Sequence, residues 1–163
     1  MPRAWAAKKR KTASQNPSFN PGANPIAKLD LSNLSPSERH YAELIAKDFA
    51  DAGHGRVQQA AAVADAIAES NLDPTAVGDD GHSIGLFQAN RDGGLGTGHS
   101  VATLENPQTN IRIALDAAER HSAFADAKTI DRAVGAFVSD VERPADTPGQ
   151  TAERAQIAKQ SLA

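Results

Sequence analysis

Residues 56–74 read RVQQAAAVADAIAESNLDP. Apolar residues recur here at the three- and four-residue spacing of one helical face, which predicts a helix over residues 56–70 whose buried stripe is built largely from alanine. Asn71 and Pro74 are residue types that end a helix. Glu69 stands in the last turn, off the centre of the stripe. We therefore expect its carboxyl group to point toward the loop that follows.

The position of Glu69 has a chemical consequence. A carboxylate at a helix C-terminus faces the negative end of the helix dipole, which disfavours the charged form and raises the pKa. A glutamic acid that is protonated near neutral pH is what general-acid cleavage of a glycosidic bond requires. From the pattern alone, however, a solvated glutamate at a helix end explains the position better than a catalytic one.

The rest of the chain predicts further helices around one irregular region. Residues 35–38, Ser-Pro-Ser-Glu, form a helix start with an N-cap, a proline and an acid. Apolar stripes predict helices over residues 107–121 and 127–141, and a weaker one over 151–162. Residues 75–100 are rich in Gly, Asp, Asn and Ser, with room for a small β-ribbon. We expect a mainly α fold with a loop-rich insertion.

Charge divides the 163 residues unevenly. Residues 1–30 carry six basic residues and one acid, whereas the remainder carries 11 basic and 19 acidic residues. The first 34 residues are also interrupted by prolines, which predicts an extended basic arm. We expect three parts: the arm at residues 1–34, a folded domain at 35–146 and a C-terminal helix or tail at 147–163.

Several classes of function are excluded or disfavoured. Cysteine is absent, so no disulfide, thiolate metal site or cysteine nucleophile is possible. His82 has no partner at metal-ligand spacing and is expected to be a loop histidine. The glycine-rich residues 93–98 lack the context of a phosphate-binding loop, and a rim over a cleft is the alternative. We expect no metal, no cofactor, no membrane span and no secretory signal, because Lys8–Lys11 interrupts the N-terminal apolar residues.

Two segments carry a resemblance to a known family. Residues 69–74, Glu-Ser-Asn-Leu-Asp-Pro, followed by residues 85–88, Gly-Leu-Phe-Gln, resemble the signature of the lytic transglycosylase and goose-type lysozyme superfamily. Phe87 stands where methionine is usual. Residues 106–111 and 133–137 resemble later helices of that family, so the likeness covers roughly residues 57–143. It implies a lysozyme-like domain.

The resemblance also implies roles for individual residues. Glu69 would be the catalytic acid and base, and Ser70 a polar support in the cleft. The substrate-binding set would be Gly85, Leu86, Phe87, Gln88 and Phe137, with Gln88 bonding to the sugar or its N-acetyl group. Phe137 and Val138 replace the tyrosine and asparagine of the family, so a hydroxyl usually found near the glutamate is missing.

Two chemical routes follow from this set. With one carboxylate, Glu69 protonates the leaving oxygen, the N-acetyl carbonyl attacks the anomeric carbon, and a 1,6-anhydro product results. With a second carboxylate, Asp79 or Asp80 positions a water molecule for hydrolysis, which needs about 6.5–9.5 Å between the carboxyl groups. The residues alone also fit a plain acidic turn at Asp79 and Asp80. The sequence narrowly favours the anhydro-forming route.

The expected function is therefore peptidoglycan cleavage at the MurNAc–GlcNAc β-1,4 bond by a lytic transglycosylase. Because the substrate lies outside the membrane, we expect a phage particle to carry the enzyme and open the wall for genome entry. Residues 1–34 would contact other virion proteins, and Lys8–Lys11 packaged DNA. The alternatives are a non-catalytic virion protein with a lysozyme-like fold, a hydrolytic lysozyme or endolysin, and, more distantly, a DNA-binding module.

Overall fold

The computed structural model describes residues 22–142 and 147–162, and within them helices dominate. The described α-helices are α1 (Pro36–Asp51), α2 (Arg56–Ser70), α3 (Val101–Glu105), α4 (Pro107–Glu119), α5 (Ser122–Ala125), α6 (Ile130–Ala136) and α7 (Thr147–Leu162). Together with a small sheet, they confirm the expected mainly α fold with a loop-rich insertion. No helix in the described ranges is long and apolar enough to cross a membrane.

Helix α1 begins as its sequence predicts. The side chain of Ser35 accepts a hydrogen bond from the backbone N–H of Glu38, and the Glu38 carboxylate accepts one from the backbone N–H of Ser35. This reciprocal pair satisfies two backbone donors that a helix start otherwise leaves unpaired. The buried face of α1, which includes Ile45 and Phe49, packs against α2.

Helix α2 is the centre of the fold. It is buried along nearly its whole length, from Gln58 to Ala66, and it packs against α1, α6 and α7. Its many alanines present little side-chain bulk, so neighbouring helix backbones approach closely from several sides. The functional consequence is that a residue at the end of α2 stands on a helix fixed by packing against three others.

The loop-rich insertion contains a three-stranded antiparallel sheet. The strands are β1 (Val77–Gly78), β2 (Ser83–Ile84) and β3 (Ala89–Asn90), in that order across the sheet. A 3₁₀ turn at Asp79–Gly81 joins β1 to β2, with Val77 paired to Ile84 and Ile84 to Ala89. The small β-ribbon expected in residues 75–100 is present.

Residues 22–34 form no helix or strand and end in a turn at residues 31–34, and they lie along the helical body. The backbone N–H of Ala27 donates to Gln59 Oε1 at 2.7 Å, while Gln59 Nε2 donates to the carbonyl oxygen of Pro25 at 3.0 Å. Farther along, the backbone N–H of Asp30 donates to the carbonyl of Ser161 at 2.6 Å. The basic residues Lys8–Lys11 lie outside the described residues.

The predicted helix over residues 127–141 is present in modified form. Helix α6 passes directly into a π-helical turn, Phe137–Glu142. A π turn accommodates one more residue per turn than an α-helix, and such turns are frequent at functional sites. Helix α7, predicted from residue 151, begins at Thr147 and packs against α2 and α6. The division of the chain at residues 34 and 146 stays a prediction.

Four phenylalanines form the middle of the core. Phe49, Phe87, Phe124 and Phe137 are all fully buried, and their ring centroids lie 5.3–6.4 Å apart in tilted or edge-on pairs. Such pairs add to the burial of apolar area. Because Phe87 belongs to the insertion, the cluster fixes the loop-rich region to the helical body.

Candidate active site

Glu69 lies at the point where α2 ends and the chain turns sharply. Asn71 and Leu72 both adopt left-handed backbone angles, with φ of 51° and 59°. The Ser70 hydroxyl donates to the carbonyl of Ala66 at 3.0 Å or to that of Leu86 at 2.8 Å, and it is buried. Ser70 therefore connects the end of α2 to the insertion. It does not line the cleft beside Glu69.

Arg154 of α7 pairs with two acids of α2. Its Nε donates to Asp65 Oδ1 at 2.6 Å, and its Nη2 donates to Glu69 Oε1. The side chains of Arg154 and Asp65 are 4% and 1% exposed, whereas that of Glu69 is 19% exposed. Asp65 and Glu69 are four residues apart, so they stand on one face of α2. The guanidinium thus holds the buried side of the Glu69 carboxyl group while the remainder meets the solvent.

A third acid joins this group from the π turn. One carboxylate oxygen from each of Asp65, Glu69 and Glu142 lies within 4.8 Å of the others. This spacing would suit a metal ion, but Arg154 already bonds to two of the three carboxylates. We call Asp65, Glu69, Glu142 and Arg154 the acid cluster. The sequence does not indicate Asp65, Glu142 or Arg154 as residues of the site.

Burial raises the pKa of Glu69, and the nearby charges of Asp79 and Glu153 raise it further, whereas Arg154 opposes the shift. The sequence also predicts that the pKa of Glu69 is raised. Its largest cause is removal of the carboxyl group from water, which disfavours the ionised form. Burial of Glu69 therefore favours the protonated form, which is the form able to donate a proton.

Glu69 opens into a cleft of about 650 Å³. A volume of this size suits a ligand such as a short saccharide. The cleft lies between the insertion, the end of α4, the π turn and α7. Its lining residues are Glu69, Asp79, Ser83, Gln88, Asn90, Asp92, Gly93, Gly94, Leu95, Ala117, Arg120, His121, Asp140, Val141, Glu142 and Gln150.

The sheet brings Asp79 into this cleft. The Ser83 hydroxyl donates to Asp79 Oδ2, and Asn90 Nδ2 donates to Ser83 Oγ at 3.1 Å. These bonds hold the Asp79 carboxylate in the lining of the cleft that Glu69 also lines. The neighbouring Asp80 is exposed and does not belong to the cleft lining. The structure thus brings Asp79 and Glu69 together and leaves Asp80 apart.

The segment 85–88 contributes one side chain to the cleft. Gln88 lines it, and its Nε2 lies 3.1 Å from the carbonyl oxygens of both Ala76 and Gly85. Leu86 and Phe87 are fully buried in the core, as is Phe137. The side chains of these three predicted substrate-binding residues therefore shape the cleft from behind and are not part of its surface.

Asn110 holds the segment from the other side. Its Oδ1 accepts from the backbone N–H of Phe87 at 2.9 Å, and its Nδ2 donates to Ile84 O or Leu104 O at 2.9 and 3.0 Å. Gly85 has φ of +84°, and a Cβ there would lie 2.4 Å from Asn110 Nδ2. Glycine is required at this position by both backbone conformation and space.

Both acidic and basic side chains line the cleft. Five acids line it: Glu69, Asp79, Asp92, Asp140 and Glu142. Arg120, at the end of α4, is the arginine of the lining; it is exposed, and no ion pair joins it to another residue in ranges 22–142 and 147–162. The glycine-rich residues 93 and 94 form part of the rim, and His82 lies outside the lining, 3.9 Å from Asp92.

A helical domain with a small sheet beside it, and a partly buried glutamic acid facing a cleft between them, has the architecture of a lysozyme-like glycosidase. A family model described as phage tail lysozyme matches residues 40–163. The chain belongs to this family, which gives it a phage-associated, lysozyme-like function on peptidoglycan. Searches of curated proteins and of solved structures gave no match.

Proposed function

We propose that the protein cleaves the MurNAc–GlcNAc β-1,4 bond of peptidoglycan with Glu69 as the general acid. The observation that supports this role is the setting of Glu69: its carboxyl group is partly buried, has a raised pKa and faces a saccharide-sized cleft. As the glycosidic bond breaks, Glu69 gives its proton to the leaving oxygen, which then departs as a neutral hydroxyl.

The position of Asp79 favours water as the attacking group. Asp79 shares the cleft with Glu69, and its negative charge acts on the Glu69 carboxyl group. A carboxylate held there by Ser83 can accept a proton from a water molecule that attacks the anomeric carbon from the opposite side of the sugar. The product is then a reducing end with inverted configuration.

Lytic transglycosylation is the second candidate. The resemblance of residues 69–74 and 85–88 to the transglycosylase signature favours it. On this route the N-acetyl carbonyl attacks first, and Glu69 then removes the proton of the muramoyl 6-hydroxyl to close a 1,6-anhydro ring. Mass analysis of digested muropeptides distinguishes the routes, because the anhydro product is lighter by one water molecule.

Two pairs of variants test the roles of the acids on purified cell-wall sacculi. Glu69→Gln is expected to lose at least about 100-fold in rate, whereas Glu43→Gln, an exposed acid on α1, leaves the rate unchanged. Asp79→Asn lowers the rate strongly if water attacks, and the exposed neighbour Asp80 provides the control as Asp80→Asn. Full activity of Glu69→Gln would contradict the role of Glu69 as the general acid, whereas a wild-type protein without activity on sacculi would leave the non-catalytic virion role.

We further propose that the protein travels in the phage particle and opens the wall locally for genome entry. Membership of a family described as phage tail lysozyme supports this location. The basic residues 1–34 supply a segment for contacts with other virion proteins or, through Lys8–Lys11, with packaged DNA. Mass spectrometry of purified particles is expected to find the chain, whereas an endolysin would be abundant only as free protein at lysis.

A further inference from the structure

The acid cluster holds more negative charge than its single cation can compensate. If Asp65, Glu69 and Glu142 were all ionised, three negative charges would face one guanidinium within a few ångströms. Asp65 is 1% exposed, and burying an uncompensated carboxylate costs several kcal/mol. At least one of the three carboxyl groups must therefore hold a proton for the cluster to exist as it does.

Hydrogen-bond donors identify which carboxyl group that is. Arg154 donates to Asp65 through Nε and to Glu69 through Nη2, so both of these acids have a cationic donor. Among residues 22–142 and 147–162 no cationic side chain donates to Glu142, and its buried Oε1 has no hydrogen-bond partner there. The second oxygen of Asp65, Oδ2, is equally buried and equally lacks a donor. A proton carried by Glu142 supplies the donor that the Asp65–Glu142 contact otherwise lacks.

We propose that Glu142 is a protonated positioning residue that donates a hydrogen bond to ionised Asp65, and that this pair holds Arg154 against Glu69. The π turn is what brings Glu142 into place, because it carries this half-buried side chain to the face of α2 that holds Asp65 and Glu69. Once Asp65 is ionised, above a pKa of about 7, the pair has a single negative charge, and Arg154 has a single positive charge. The pair and Arg154 together are consequently close to neutral, although a guanidinium contacts Glu69.

The electrostatics of every packed element agree with this assignment. Burial raises the pKa of Glu142 well above its ordinary value, with the charges of Asp65 and Glu69 adding to the shift. Burial also raises the pKa of Asp65, to about 7, against the opposing effect of Arg154. The other charged groups that act on Glu69 are Glu153 on α7 and Asp79 in the insertion. Both shifts disfavour a doubly ionised pair, and the hydrogen bond from Arg154 to Asp65 leaves Glu142 as the member that holds the proton.

The inference rests on the proposed function for one consequence only, the effect on catalysis. When the Asp65–Glu142 pair carries one negative charge, Arg154 stabilises the ionised form of Glu69 less strongly. Were Asp65 neutral at all pH values, Arg154 would stabilise the Glu69 carboxylate more strongly and lower its pKa. The proton that Glu69 needs for general-acid catalysis would then be lost at a lower pH.

The first test requires no activity. Infrared spectra of Glu69→Gln at pH 8, compared with those of the double variant Glu69→Gln with Glu142→Gln, report the carbonyl stretch of a protonated carboxylic acid. We expect one such band in the single variant and its loss in the double variant. Identical spectra would mean that Glu142 is ionised, and they would overturn the proposal whatever the enzyme does to peptidoglycan.

The second test uses the pH dependence of kcat/KM. Glu142→Gln keeps a neutral donor beside Asp65, so the pH at which activity falls on the alkaline side is expected to remain where it is in the wild type. Asp65→Asn removes the negative charge, and this fall should move to lower pH. If Glu142→Gln shifts the profile as Asp65→Asn does, Glu142 carries a charge and the assignment is wrong. Circular dichroism confirms that each variant is folded.

Discussion

Replacing Arg154 with methionine is the perturbation whose cost the structure defines best. Methionine keeps most of the apolar stem but removes the cation from Asp65, which is 1% exposed, and from Glu69. Removing one partner of a buried ion pair costs about 3–5 kcal/mol, because the remaining charge is left uncompensated. For a domain of this size that loss lowers the Tm by on the order of 10 °C.

The pH dependence of the loss makes the prediction specific to Asp65. The pKa of Asp65 is raised to about 7 in the folded protein, so between its ordinary value and pH 7 the folded state binds a proton that the unfolded state has released. Wild-type stability from this group therefore falls as pH rises through that window and levels off above it. Without Arg154 the pKa rises further, so the fall continues beyond pH 7.

Urea unfolding at pH 5 and pH 8 measures the effect. We expect Arg154→Met to lose more free energy of unfolding at pH 8 than at pH 5, where Asp65 is protonated in both proteins. Lys159→Met is the control on the same helix: Lys159 pairs with Asp131 at 2.8 Å, but the two side chains are 56% and 68% exposed, and such a pair is worth less than about 1 kcal/mol. Equal losses at the two pH values, or a loss no larger than the control, would refute the reasoning.

Three further expectations concern the insertion and the cleft. Asn110→Ala leaves the buried backbone groups that it serves without partners, at about 1–3 kcal/mol for each unsatisfied group, and a thermal melt should show the loss. Gly85→Ala should destabilise more than Gly81→Ala, since both glycines have positive φ but only the Gly85 Cβ would collide with neighbours; equal Tm shifts would exclude the collision as the cause. Arg120→Gln should raise KM for intact peptidoglycan and not for glycan strands stripped of their acidic peptides, with kcat unchanged, as steady-state kinetics on both substrates can check.

The features that depend on residues close to one another in the sequence were the most predictable. The capping pair of Ser35 and Glu38, the alanine-rich α2 and the position of Glu69 at its end depend on residues within about one helical turn of one another. Local spacing encodes such features directly. The small sheet was also indicated, because turn-forming residues surround a short apolar segment.

The acid cluster could not be assembled from local spacing. Arg154 is 85 residues from Glu69 and 89 from Asp65, and no periodic pattern relates them. One signal was present: Asp65 interrupts an alanine run that is otherwise buried, and a buried acid requires a cationic or protonated partner. That signal predicts the existence of a partner but does not identify which arginine supplies it.

The burial of Leu86, Phe87 and Phe137 shows whether they line the cleft, and residue type alone does not show this. Apolar residues in a glycine-rich loop fit a cleft wall and a core equally well. The structure places all three in the phenylalanine cluster or against it, so they act on the cleft through the position of the backbone that carries Gln88. Phe137 therefore replaces the tyrosine of the family in the core of the domain and not at the surface of the cleft.

The position of the Glu142 carboxyl group depends on the number of residues in the π turn at Phe137–Glu142, and not on the chemistry of their side chains. A π turn is equivalent to an α-helix with one residue inserted, and each residue of an α-helix turns the chain by about 100°. Deleting a single residue within the turn would restore regular winding and rotate Glu142 out of the cluster. A scan of point substitutions would leave this dependence invisible, whereas a one-residue deletion would expose it at once.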